Sequence, residues 1–169
     1  MSNRRAGKYD PGAVNGKHEE AAIVMDWVNE LRAILQARGH KVIRTRINAS
    51  DEAPVSARAG IAQDYDCEIM LSFHCNAANG SANGTETFYR GEPHRLYAAE
   101  LNGKICAALG TRNRGVKTES QSQHSRLAVM SFQPCFLIEL GFIDHPGDLL
   151  AMLDPVKRMA ACEAIAEML

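Results

Sequence analysis

Apolar positions fall into two kinds of period along the chain. Val24, Trp27, Val28, Leu31, Ile34 and Leu35 recur at three- and four-residue steps, which predicts a helix over about 20–38 that Gly39 ends. HKVIRTR predicts a strand at about 41–46, and Pro54 opens a helix over about 55–64. Short apolar runs follow. Residues 67–73 read as a buried strand, TETFYR (85–90) alternates as a strand does, and 93–109 reads as a helix closed by Gly110. RGVKTESQSQHS reads as a polar loop that enters a strand at the apolar LAVMSF (127–132), and CFLIEL (135–140) as a buried strand. The tail from about 146 to 168 is helical, with a break near Asp154-Pro155.

Helices alternating with buried strands predict one α/β domain, a twisted, mostly parallel sheet with helices on both faces. Ligands in such folds bind beyond the carboxyl ends of the strands. Two polar residues stand at such ends: His74, after the run Ile69–Phe73, and Glu139, closing CFLIE. An acid behind four apolar residues is placed for a function or a partner. Asn76 opens the polar loop that runs to Gly84.

Composition narrows the function little. In 169 residues, 46% hydrophobic and 23% charged residues are ordinary for a soluble domain, and a net charge of −1 gives no electrostatic case for nucleic acid or an anionic membrane. No apolar run reaches the roughly 18 residues of a membrane span, and MSNRRAGKYD is not a signal peptide, which implies synthesis in the cytoplasm. Five cysteines without a CxxC pair read as reduced thiols. Cys75 is a conceivable nucleophile, but strand alternation turns it away from the face that His74 uses.

A strand-end histidine, a helix-start glutamate and a strand-end glutamate are the ligand types that zinc takes. Here the sequence resembles the zinc-dependent N-acetylmuramoyl-L-alanine amidases of the type-3 group, in the wording of phage and prophage endolysins. DPGAVNGKHEEA, TRINASDEAPVSARAGIA, LSFHCNA and LIELGFIDHPGD occur in the family's order. The resemblance implies a phosphorylase/hydrolase-like fold and hydrolysis of the amide between N-acetylmuramic acid and L-alanine in the cell wall. It implies Zn2+ bound by Glu20 and His74, with Glu139 as the catalytic carboxylate. Asn76, His124 and Arg126 are expected to contact substrate, and peptidoglycan is the expected partner.

The family also has a first strand ending in a zinc-binding histidine, and no histidine precedes His18 here. The expectation is therefore a catalytic domain over 1–169 that lacks the first strand, whose loss from the middle of the sheet would threaten folding. His18 is the candidate substitute ligand. The alternative reading is a metal-free peptidoglycan-binding module on the same fold. Arg46, Asp51 and Arg58 are expected to form a structural ion-pair set. Arg114 and Lys117 are read as solvated loop charges, or as contacts for the peptide's carboxylates.

Overall fold

A computed structural model describes residues 9–52 and 54–169. The chain opens with a small hairpin, β1 (Val14–Asn15) and β2 (His18–Glu19), and continues into helix α1 (Glu20–Ala37). Helix α2 (Val55–Asp64) precedes strands β3 (Met70–Asn76) and β4 (Thr85–Tyr89). Helix α3 (Arg95–Leu109) leads to β5 (Asn113–Thr118), then β6 (Cys135–Phe142) and helices α4 (Pro146–Leu153) and α5 (Pro155–Ala166). The sheet order is β3-β6-β4-β5, with β3/β6 and β4/β5 parallel and β4/β6 antiparallel.

The break near Asp154 is a helix boundary. Asp154 caps α5 by accepting the amides of Val156 and Lys157, and Pro155 takes the first helical position, where a missing N–H costs nothing.

Strand alternation sorts the sheet's side chains into two faces. Phe73, Cys75, Phe136, Ile138 and Leu140 point to one face and join a core with α1, α3 and α5. Trp27 anchors it, fully buried, with its indole N–H donating to the Met152 carbonyl at 3.1 Å. Met70, Cys135, Leu137 and Phe88 point to the other face, where Ala59 and Ala62 of α2 and Val129 and Met130 cover them. That second cover stops short, and the next residues along the same face are His74, Glu139 and Glu86.

Three segments depart from the sequence pattern. Residues 41–46 are not a strand: they have no ladder partner among the described residues, and propensity alone does not make a strand. They lie across from the outer edge of β3, beside a cavity of about 590 Å³ lined by Val24, Val28, Ile43, Ile69 and Leu71 among others. LAVMSF is not a strand either but a 3₁₀ turn at Ala128–Ser131, because Val129 and Met130 are both buried in succession against α2. RGVKT, read as loop, is the edge strand β5, held by its pairing with β4 rather than by any apolar alternation. The strand expected at 67–73 begins at Met70 and runs on through Asn76, so His74 lies within β3.

Candidate active site

The site begins at the DPG turn. Gly12 holds φ +71°, and a Cβ there would lie 2.7 Å from the carboxyl carbon of Glu20. Only a glycine leaves room for that carboxylate. The Ala13 amide donates to Glu20 Oε2 at 2.8 Å, and the Glu20 amide donates back to the Ala13 carbonyl at 2.8 Å. The loop and the first turn of α1 thus lock one another, and the helix N-terminus adds its favourable dipole. Glu19 points elsewhere, to the hydroxyl of Tyr9.

The other carboxylate oxygen, Glu20 Oε1, lies 2.8 Å from His74 Nδ1, with side-chain exposures of 15% and 24%. His74 Nε2 lies 3.0 Å from Ser72 Oγ, two residues earlier on the same face of β3. Burial opposes ionisation of Glu20, yet the hydrogen bond and charge of His74 and the amides of Ala13 and Cys75 hold its carboxyl below the usual range. Burial likewise opposes charge on His74, and the Glu20 hydrogen bond with the Glu139 and Glu20 charges raises its pKa despite Arg58.

Glu139 stands opposite His74 in the parallel β3/β6 register. Burial pushes its carboxyl up to about 7; His74 pulls the other way, and the Glu20 and Glu86 carboxylates add to the rise. Its Oε2 is buried without a hydrogen-bond partner. On the far side of β6, Glu86 of β4 stands opposite Glu139 in the antiparallel register. Glu86 Oε1 accepts from Asn76 Nδ2 at 3.2 Å, and its Oε2 accepts from Arg114 Nε at 2.6 Å and Lys117 Nζ at 2.7 Å. A file of ionisable groups therefore crosses the sheet from α1 to β5.

The structure brings together Glu20, His74 and Glu139, with Asn76 at the edge through Glu86. His124 and Arg126 lie exposed in the loop after β5, without a hydrogen bond to this file among the described residues. Asp51 accepts the amides of Ile47 and Asn48, while Arg46 donates to the Asp10 carbonyl and faces the Tyr9 ring. Cys75 is buried on the opposite face, its thiol pushed well up by burial and packed 3.7 Å from Met152 Sδ. Sequence reasoning missed Ser72 and Glu86. The signal was the two-residue period, which puts Ser72 under His74 and makes Glu86 an acid inside a buried strand.

Zinc takes carboxylate oxygen and imidazole nitrogen, and Glu20 Oε1 and His74 Nδ1 converge as such a pair beside an orphaned carboxylate oxygen. Ser72 at the remote ring nitrogen is the outer partner that a ligating histidine usually has. These residues fit the metal as two of its protein ligands. No group of three or more His, Cys, Asp and Glu side chains is arranged to hold a metal among the described residues, and His18, on β2 in register with Asn15, does not complete one.

Fold and site together define an α/β domain with a histidine–carboxylate centre in the carboxyl-terminal halves of β3 and β6. The chain belongs to the Amidase_3 family, N-acetylmuramoyl-L-alanine amidase, whose sequence profile matches residues 6–169. It is 35% identical over 130 residues to an uncharacterized cell wall amidase of Bacillus anthracis, covering 70% of this chain and 23% of that protein. It is 29% identical over 164 residues to the N-acetylmuramoyl-L-alanine amidase LytC of Bacillus subtilis strain 168, covering 94% of this chain and 32% of LytC. The chain thus spans a third or less of those two relatives. The catalytic domain of CwlV, an N-acetylmuramoyl-L-alanine amidase from Bacillus (Paenibacillus) polymyxa var. colistinus, shares the fold. Its TM-score is 0.83 at 22% identity, covering 96% of this chain and 92% of that one.

Proposed function

We propose that this chain is a zinc-dependent amidase domain that hydrolyses the bond between N-acetylmuramic acid and L-alanine in peptidoglycan. Family membership supports the reaction class. The observation that carries the reading is Glu139: a carboxylate in register with His74, pushed up to about 7, with one oxygen buried and unpaired. A general base for neutral pH needs such a pKa and an oxygen free to take a proton. Glu20 and His74 would hold the metal. When bound, zinc supplies Lewis acidity, activating water and polarising the scissile carbonyl. Glu139 Oε2 accepts the attacking water's proton and returns it to the departing alanine nitrogen, so the carboxylate is regenerated at each turnover. With the metal bound, His74 would offer the Nδ1 lone pair to it and donate Nε2–H to Ser72 Oγ. Asn76, which donates to Glu86 beside Glu139, and His124 and Arg126 are contacts for the longer substrate.

The site of action is the cell wall. No helix among the described residues is long and apolar enough to cross a membrane.

The two-ligand set among the described residues favours a second reading, a binding module that holds peptidoglycan without metal. One experiment separates the two. Purified protein is loaded with zinc, dialysed, analysed for metal and incubated with purified cell wall, and new L-alanine amino termini are measured. Retained zinc with EDTA-sensitive release of those termini supports the amidase. Cell-wall binding with neither metal nor release supports the module.

A further inference from the structure

Glu86 has more positive charge around it than its own burial requires. Its side chain is 4% exposed, and one cation at hydrogen-bond distance would neutralise it. It has two, Arg114 and Lys117, both on its Oε2. The cluster carries one surplus positive charge, and the side chains of Arg114 and Lys117 remain 26% and 30% exposed. Their donors are not exhausted. Arg114 uses Nε on Glu86 and Nη1 on the Asn83 carbonyl at 3.3 Å, and Lys117 uses one of three N–H groups on Glu86. Each cation also lies over an aromatic face, Arg114 at 4.9 Å from the Phe142 centroid and Lys117 at 5.9 Å from that of Phe88. They are fixed in place rather than free to follow solvent.

Position then selects the ligand. Glu86 is the neighbour of Glu139 across one strand spacing, and β5 lies one spacing further, which puts the cations about 5–10 Å from the hydrolytic carboxylate. An extended peptide covers that distance in about two to three residues. On the amidase reading, on which this inference rests, the glycan offers no anion, because the only carboxyl of muramic acid is consumed in the amide that is cut. Free carboxylates lie on the peptide side alone.

We propose that Arg114 and Lys117, set by Glu86, form a subsite for a free carboxylate of the stem peptide, about two to three residues beyond the scissile amide. The subsite distinguishes stems that keep this carboxylate from stems in which it is amidated.

The test compares N-acetylmuramoyl-L-alanyl-D-glutamate with its dicarboxamide. Binding is measured by calorimetry in EDTA, where hydrolysis does not run. Wild type should bind the carboxylate form about tenfold more tightly, and Arg114→Gln and Lys117→Met should each bring that ratio to within about twofold. Equal binding of the two forms by wild type overturns the subsite, as does an unchanged ratio in variants that melt like wild type. If a variant melts early, the wild-type ratio decides under added salt: it must fall, and a salt-insensitive ratio overturns the proposal. Hydrolysis is then assayed with zinc. No cleavage with the ratio intact removes the amidase reading and leaves the subsite standing. Cleavage with no carboxylate preference removes the subsite alone.

Discussion

His74 and Glu139 stand opposite one another on adjacent parallel strands, so a ligand-type imidazole and a carboxylate with one unpaired oxygen share one face of the sheet. Glu139→Gln keeps the shape and removes the proton acceptor. Cell-wall hydrolysis should fall by roughly 10²–10⁴-fold while zinc content is unchanged. Activity within a few-fold of wild type would take Glu139 out of the mechanism.

The same carboxyl makes the metal-free protein sensitive to pH. Its folded pKa, about 7, lies above the ordinary glutamate value of 4.5, so the folded state binds the extra proton between those values. Stability contributed by this group is therefore present at acid pH and lost as pH rises through about 7. In EDTA at pH 8, Glu139→Gln should be more stable than wild type by on the order of 2–3 kcal/mol, and the difference should vanish near pH 4. Urea titrations at the two pH values measure it. A pH-independent difference would mean that Glu139 is not held against ionisation.

His74→Ala strips Glu20 of its half-buried partner. Zinc should be lost on dialysis, and the metal-free protein should be less stable by about 1–3 kcal/mol. Elemental analysis alongside thermal melting checks both. Full zinc retention would exclude His74 as a ligand.

Gly12→Ala places a methyl group against the Glu20 carboxylate at a positive φ. The strained backbone should cost about 1–2 kcal/mol, and the displaced carboxylate should weaken zinc binding as well. Unaltered metal affinity would show that Glu20 tolerates displacement and does not set the site.

Asp148 ties the sheet ends together: its buried Oδ2 accepts the amides of Gly84 at 2.7 Å and Phe142 at 2.9 Å. Asp148→Ala leaves both donors without a partner and should destabilise by about 2–4 kcal/mol, read from the melting temperature. A loss below about 0.5 kcal/mol would mean that water replaces the carboxylate.

Much of this architecture was legible in the chain, because local period and local chemistry dictated it. The three-to-four-residue stripe around Trp27, the Asp154-Pro155 boundary and the buried runs of β3 and β6 depend on near neighbours, and strand alternation sent Cys75 and His74 to opposite faces. His74 and Glu139 stood out as polar groups behind apolar runs, whereas Glu20 was picked out by the family resemblance of DPGAVNGKHEEA. Pairing decided the rest. The β-branched stretch at 41–46 finds no ladder partner among the described residues and is not a strand, whereas the polar RGVKT becomes β5 because β4 offers it a ladder. Glu86 shows the same dependence. Its place in TETFYR is local information, but its position opposite Glu139, with Arg114 and Lys117 brought from 28 and 31 residues away, exists only once the sheet has closed. Side-chain period is written in the sequence; which strands become neighbours is settled by the free energy of the whole fold.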